Sequence, residues 1–217
     1  MPTNSFTIYQ FNHQSPFNHS TMALGNSNST IYLSIADGKI VRRFKEPTAN
    51  SKQRTSKTGK IVHEESYDYV SGLITDISTK DSEYGKFWNV RLVDGSDVYT
   101  LQFQYSGGNA SSFLKAIPNA DLTKPITIKP RSEMNGDKKR TTVMLIQDDT
   151  IIRWKWTKDN PGTLPGLKKV KVKGVEQWDD SDMMEALESY VANNIKPNLR
   201  SAESTTIGAE DDNDLPF

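Results

Sequence analysis

Residues 67–147 read YDYVSGLITDISTKDSEYGKFWNVRLVDGSDVYTLQFQYSGGNASSFLKAIPNADLTKPITIKPRSEMNGDKKRTTVMLIQ. Apolar side chains recur here at every second position, the period of a strand with one buried face. In Lys86–Val93, Trp88, Val90 and Leu92 face one way and Phe87, Asn89 and Arg91 the other. In Val98–Tyr105, Tyr99, Leu101 and Phe103 oppose Thr100, Gln102 and Gln104. The run before them, Tyr67–Ser78, changes parity near Ser71-Gly72: Tyr67, Tyr69, Leu73 and Ile77 share one parity, Val70 and Ile74 the other. A glycine in mid-strand predicts a bulge or sharp bend there. Gly107-Gly108 breaks the alternation. Ala110, Phe113, Leu114 and Ile117 then fall at i, i+3, i+4 and i+7, one face of a short helix that ends at Pro118. Two further strands follow: Ile126–Arg131, with Ile126 and Ile128 inward and Thr127, Lys129 and Arg131 outward, and Thr142–Gln147. Asp94-Gly95 and Asn135-Gly136 supply tight turns.

The order strand-strand-strand-helix-strand-strand is that of the five-stranded OB barrel, so the fold class expected is mainly β, with a curled first strand shared by both halves and the helix plugging the open end. Such barrels commonly hold single-stranded nucleic acid, but a fold does not by itself fix a function.

Outward from the barrel, residues 1–30 read as a loosely structured extension. Ile31–Phe44 reads as a hairpin turning at Asp37-Gly38. Between residues 39 and 60 there are eight bases and one acid, Glu46; the part after Phe44 reads as a loop, suited to tracking phosphates. Residues 31–175 are taken as one barrel domain carrying this hairpin and loop. After the fifth strand, Asp148-Asp149 turns into a further strand, Ile151–Thr157. A Pro/Gly loop and a basic strand-like piece, Lys168–Lys173, come next. A helix is expected within 176–197, opened by Asp179, Asp180 and Asp182 and stopped by Pro197. Its face of Met183, Leu187, Tyr190 and Val191 either packs on the barrel or makes a homodimer contact. Residues 198–217 read as a disordered acidic tail.

Among the 217 residues there is no cysteine, so disulfides and cysteine-ligated zinc are excluded. The 27 bases and 27 acids balance, but five acids and no base lie in residues 201–217, which leaves 27 bases against 22 acids before them. A basic body with an acidic tail suits contact with a polyanion. There is no secretory pattern and no membrane-length apolar run, so a cytoplasmic protein is expected. Phosphate-loop, dinucleotide, nucleophile-elbow and zincin motifs are all missing. No enzyme activity and no cofactor are expected, although Glu64, Glu65 and Asp68 offer a less favoured Mg²⁺ nuclease site.

The candidate contacts for a single strand combine cations with rings on which bases stack. They are Lys39, Arg42, Arg43, Lys52, Arg54, Lys57 and Lys60; Tyr67 and Tyr69; Lys86, Phe87 and Arg91; Lys129 and Arg131; and the interleaved Arg153, Trp154, Lys155 and Trp156. The two tryptophans have an equally good reading as a buried stripe.

The chain ends Glu210-Asp211-Asp212-Asn213-Asp214-Leu215-Pro216-Phe217, acids followed by a terminal ring that would fill an apolar pocket on a partner. Asp214, Leu215, Pro216 and Phe217 resemble the tip of bacterial and phage single-stranded-DNA-binding proteins. The stretches at residues 38–43 and 83–89 are similar to phage-encoded members of that class. The resemblance implies an OB fold that coats single-stranded DNA in replication, recombination and repair. It also implies that Asp211, Asp212, Asp214, Leu215, Pro216 and Phe217 recruit other DNA-processing proteins. The chain departs from the bacterial pattern in its N-terminal extension, its lack of a Gly/Gln/Pro-rich linker and its late helix. The alternative is an adaptor whose OB barrel binds protein, with the tail as its docking peptide.

Overall fold

The computed structural model describes residues 29–56, 59–172 and 174–199. The expectations for residues 1–28, for Lys57 and for the acidic tail from 200 onward fall outside these.

The chain is mainly β. The expected hairpin forms as β1 (Ile31–Ala36) and β2 (Lys39–Phe44). Its turn has φ 51° at Asp37 and 73° at Gly38, the double left-handed geometry that Asp-Gly readily adopts. A Cβ on Gly38 would lie 2.5 Å from the Ser132 backbone nitrogen, so this turn rests directly on another strand. The following basic stretch, expected to be a loop, forms two more strands, β3 (Lys52–Thr55) and β4 (Ile61–Tyr67), with β4 pairing to β2. Cross-strand ion pairs stand in for the apolar alternation that normally signals a strand.

The central run gives β5 (Val70–Ser82), β6 (Gly85–Asp94), β7 (Asp97–Gln104), α1 (Gly108–Ala116), β8 (Ile126–Asn135) and β9 (Lys138–Gln147), in the order the sequence predicts. β5 serves both halves: Val70, Ser71 and Gly72 pair with β8, and Leu73 onward pairs with β6. The register shift lies between Ile74 and Asp76, past the Ser71-Gly72 position expected for a bulge; at Gly72 the strand instead changes partner, and a Cβ there would lie 2.9 Å from the Val93 carbonyl oxygen. The buried set follows the predicted parity, with Trp88, Val90, Leu92, Leu101, Phe103, Phe113, Leu114, Ile126, Ile128, Val143 and Leu145 in one core. Full burial of each such side chain stabilises by roughly 1.5–3 kcal/mol. Phe103 meets Phe113 edge-on at 5.5 Å, which seats α1 on the sheet.

The expected barrel closure does not occur. The ten-stranded sheet runs β10-β9-β8-β5-β6-β7-β1-β2-β4-β3 and stays open. Both edges that closure would join are already taken. β1 runs parallel along β7. Beside β9 lies the two-residue β10 (Thr150–Ile151), after which the Ile152 amide donates to the Leu145 carbonyl at 2.8 Å. Further along the same strand the Val143 amide donates to Ser112 Oγ of α1 at 2.7 Å, and Ser112 in turn donates to the Gly108 carbonyl at 2.6 Å. Beyond Ile151 the expected strand through Thr157 is irregular backbone.

β11 (Lys168–Val172) pairs with β12 (Val175–Asp179) in a separate two-stranded ribbon, and the helix opened by Asp179, Asp180 and Asp182 follows it as α2 (Ser181–Tyr190). α2 and the π-helical turn Val191–Ile195 bury Met183, Met184, Leu187, Val191 and Ile195 against the core. That settles this face as packing rather than a dimer contact. Glu188 clamps α2 to the sheet. It accepts from Lys86 Nζ at 2.7 and 2.8 Å, Tyr105 Oη at 2.6 Å and Thr79 Oγ1 at 2.9 Å. Burial would push its carboxyl up, but these hydrogen bonds outweigh burial and hold it below the usual carboxylate range.

A folded-state value below the unfolded one contributes stability above the unfolded pKa, and that contribution is lost as pH falls through the folded value. Glu188→Gln is therefore expected to destabilise by about 2 kcal/mol in urea melts at neutral pH, with the gap to wild type closing below about pH 4. Gly108 supplies a second prediction. A Cβ there would lie 1.9 Å from the Thr141 carbonyl oxygen, so Gly108→Ala is expected to cost about 1–3 kcal/mol in the same melts.

Candidate functional site

Side chains directly opposite each other in a ladder share a face, so the registers trace the side of the sheet turned away from the core. From β5 it runs through Asp76, Ser78 and Lys80 to Arg91, Asn89 and Phe87 of β6, then Thr100, Gln102 and Gln104 of β7. It continues to Tyr32 and Ser34 of β1, Lys39 and Arg43 of β2, Glu64 of β4, and Lys52 and Arg54 of β3. Lys39, Arg43, Lys52, Arg54, Phe87 and Arg91 of the predicted contacts thus fall on one continuous surface. Tyr32 belongs with them, 56% exposed. Between Tyr32, Lys80, Arg91 and Gln102 lies a polar hollow of about 220 Å³.

The cations on this face are partly held. Glu64 accepts from Arg54 at 2.6 and 2.8 Å and from Arg43 at 2.9 Å. The Arg54 hydrogen bond chiefly, against some burial, keeps the Glu64 carboxyl below its ordinary value. Lys39 pairs with Asp68, whose carboxyl is lowered by that contact. Lys80 and Arg91 have no ion-pair partner among the described residues. Lys60 is exposed in the β3–β4 turn.

A second group lies around the curve of the sheet. Lys129 and Arg131 are exposed on β8, and Tyr69, 57% exposed, precedes β5 on the same side as Lys129 by the β5–β8 register. Beyond Arg131 the β8–β9 hairpin and the start of α1 enclose a cleft of about 460 Å³, lined by Gly108, Ser111, Lys138, Lys139, Arg140 and Trp154. Trp154 is 38% exposed, and Lys115 Nζ sits 5.8 Å from its ring centroid. Burial lowers the Lys115 pKa. Lys139 pairs with Asp37, so the two surfaces meet at the β1–β2 turn.

Several expectations are corrected. Lys86 is bound into the Glu188 clamp and lies 4.3 Å from the Tyr105 ring centroid, so it serves packing. Trp156 is buried in the core, edge-on to Tyr190 at 4.9 Å, because the chain leaves β10 and passes under α2 instead of continuing as a strand. Lys155, the residue before it, donates to Tyr190 Oη at 2.6 Å. Arg42 faces the core side of the hairpin, 4.7 Å over the Phe44 ring. Tyr67 shares that side and donates to Glu65 while remaining 41% exposed. Arg153 is exposed, its carbonyl accepting from Asn119 at 2.9 Å. Glu64 and Glu65 point to opposite faces of β4 and Asp68 is engaged by Lys39, so the three carboxylates do not converge. Sequence reasoning missed Tyr32, Lys80 and Arg140. Tyr32 had a usable signal, an aromatic on the parity opposite Ile31, Leu33 and Ile35.

These exposures have a direct consequence: iodide should quench the emission of Trp154 and of the 64% exposed Trp178, and leave Trp88 and Trp156 emitting. Trp154→Phe combined with Trp178→Phe should give a blue-shifted protein that iodide barely affects. Compared with known proteins, the chain matches no family model, no curated protein and no solved structure.

Proposed function

We propose that this protein is a non-enzymatic single-stranded-DNA-binding protein that coats unpaired strands in replication and recombination without regard to sequence. On this reading the fold is an opened OB arrangement in which β1 takes the place of the closing strand beside β7. The observation that carries the reading is the outward sheet face, where Arg43, Arg54, Lys52, Lys80 and Arg91 flank Phe87 and Tyr32. Rings offer every base a stacking surface while guanidinium and ammonium groups hold phosphates, a combination that reads no base edges. The tail, with Asp211, Asp212, Asp214, Leu215, Pro216 and Phe217, recruits other DNA-processing proteins through its terminal ring and acids.

Oligo-dT should bind with a log–log salt slope near −0.7 per phosphate contacted. Neutralising Arg43, Arg54 and Arg91 together to Gln should shrink that slope by about 2 and weaken binding at least tenfold. Absence of binding to micromolar strand at low salt would instead support the protein-binding adaptor. Glu64→Gln is the converse test: it releases two guanidiniums and should tighten oligo-dT binding a few-fold with a steeper slope. Deleting residues 211–217 should leave DNA affinity equal or higher while abolishing capture of partner proteins.

A further inference from the structure

The ribbon of β11 and β12 stands apart from everything above. Among the described residues it hydrogen-bonds to no strand of the main sheet and places no side chain in the core. Its register sets Lys169 opposite Trp178 and Lys171 opposite Glu176, so these four side chains share one face. Trp178 is 64% exposed, more than any other tryptophan of the chain. An indole left in water forgoes the burial that makes tryptophan worth placing in a fold. Lys169 Nζ lies 5.3 Å from its ring centroid and 3.4 Å from Glu176, and Lys171 makes no ion pair among the described residues.

The root of the ribbon is fixed. The Gly107 amide donates to Asp180 at 3.3 Å, and Lys168 pairs with Asp182. Gly108, the next residue, lines the basic cleft that holds Trp154 and Arg140. The foot of the ribbon therefore lies beside that cleft.

We propose that the ribbon is a second contact for the unpaired strand, with Trp178 stacking on a base and Lys169 and Lys171 holding the adjoining phosphates. The occupant is a nucleic acid strand rather than an apolar protein surface because the face around the ring is charged and carries two ammonium groups against the one carboxylate of Glu176. This inference rests on the proposed function and extends its footprint beyond the sheet.

The test uses the full chain and oligo-dT of about 8 and about 30 nucleotides, the shorter within one OB-type footprint and the longer beyond it. Trp178→Ala should weaken the longer oligonucleotide about tenfold, leave the shorter within twofold, and leave the salt slope unchanged. Trp178→Phe should restore most of the loss. Lys169→Gln with Lys171→Gln should instead reduce the slope on the longer strand by about 1.4. Thermal melts of Trp178→Ala should match wild type, since the Trp178 side chain is 64% exposed. Wild-type affinity of Trp178→Ala for both lengths, alongside weakened binding by the Arg43, Arg54 and Arg91 variant, would overturn the ribbon contact and leave the proposed function standing. No binding of either oligonucleotide by the wild type would overturn both.

Discussion

The backbone of β9 has one side hydrogen-bonded to β8, and what satisfies its other side shapes the whole sheet. A buried amide without a partner costs about 1–3 kcal/mol, so this edge has to be answered somehow. A barrel would answer it with β7. Here Ile152 and Ser112 answer it instead, one from the chain returning after β10, the other from α1. Opposite Val143, Pro130 of β8 has no amide hydrogen to exchange, which suits a Val143 amide turned toward Ser112. With β9 occupied, β7 is free to take β1, and through β1 the sheet extends to β2, β4 and β3. The broad outward face exists because the barrel does not close.

That face is electrostatically restrained. Two guanidiniums share one carboxylate at Glu64, which keeps them in place while leaving net positive charge. Glu64 is largely covered and takes two hydrogen bonds from Arg54 and one from Arg43, so this network holds more firmly than an isolated exposed ion pair and keeps the guanidiniums aligned along the strands. Lys86 differs in kind: its carboxylate partner also takes hydrogen bonds from Tyr105 and Thr79, so the ammonium group belongs to the packing of α2.

Strand and helix positions in residues 67–147 were legible because burial imposes period two on Trp88, Val90 and Leu92 and period 3.6 on Phe113, Leu114 and Ile117. β3 and β4 were not legible. Their exposed faces carry Lys52, Arg54 and Glu64, whose attraction across the ladder cannot be read from local periodicity. Trp154 and Trp156 looked alike in sequence and parted in space: Trp156 turns under Tyr190 and Trp154 stays at a cleft. Nothing local distinguishes them, since the difference lies in where β10 stops. Ribbon pairing was hidden for a similar reason. The acids at Asp179, Asp180 and Asp182 announce the helix that starts at Ser181, but in Val175–Asp179 exposed Glu176, Gln177 and Trp178 leave no apolar alternation to announce the strand that pairs with β11.

Openness also bears on how a strand could be accommodated. A closed barrel presents a short groove, whereas the observed sheet carries its outward face from Lys80 on β5 to Arg54 on β3, across seven neighbouring strands in the order β5-β6-β7-β1-β2-β4-β3. Strands lie about 4.8 Å apart, so that traverse is on the order of 30 Å. The rings on it are Phe87 and Tyr32, separated by β7, whose outward Gln102 and Thr100 are neutral. Charge therefore flanks a ring-bearing centre instead of lining the whole path. On the proposed function, such a surface would gain its preference for single strands from stacking, which duplex DNA cannot offer, and its salt sensitivity from the flanks.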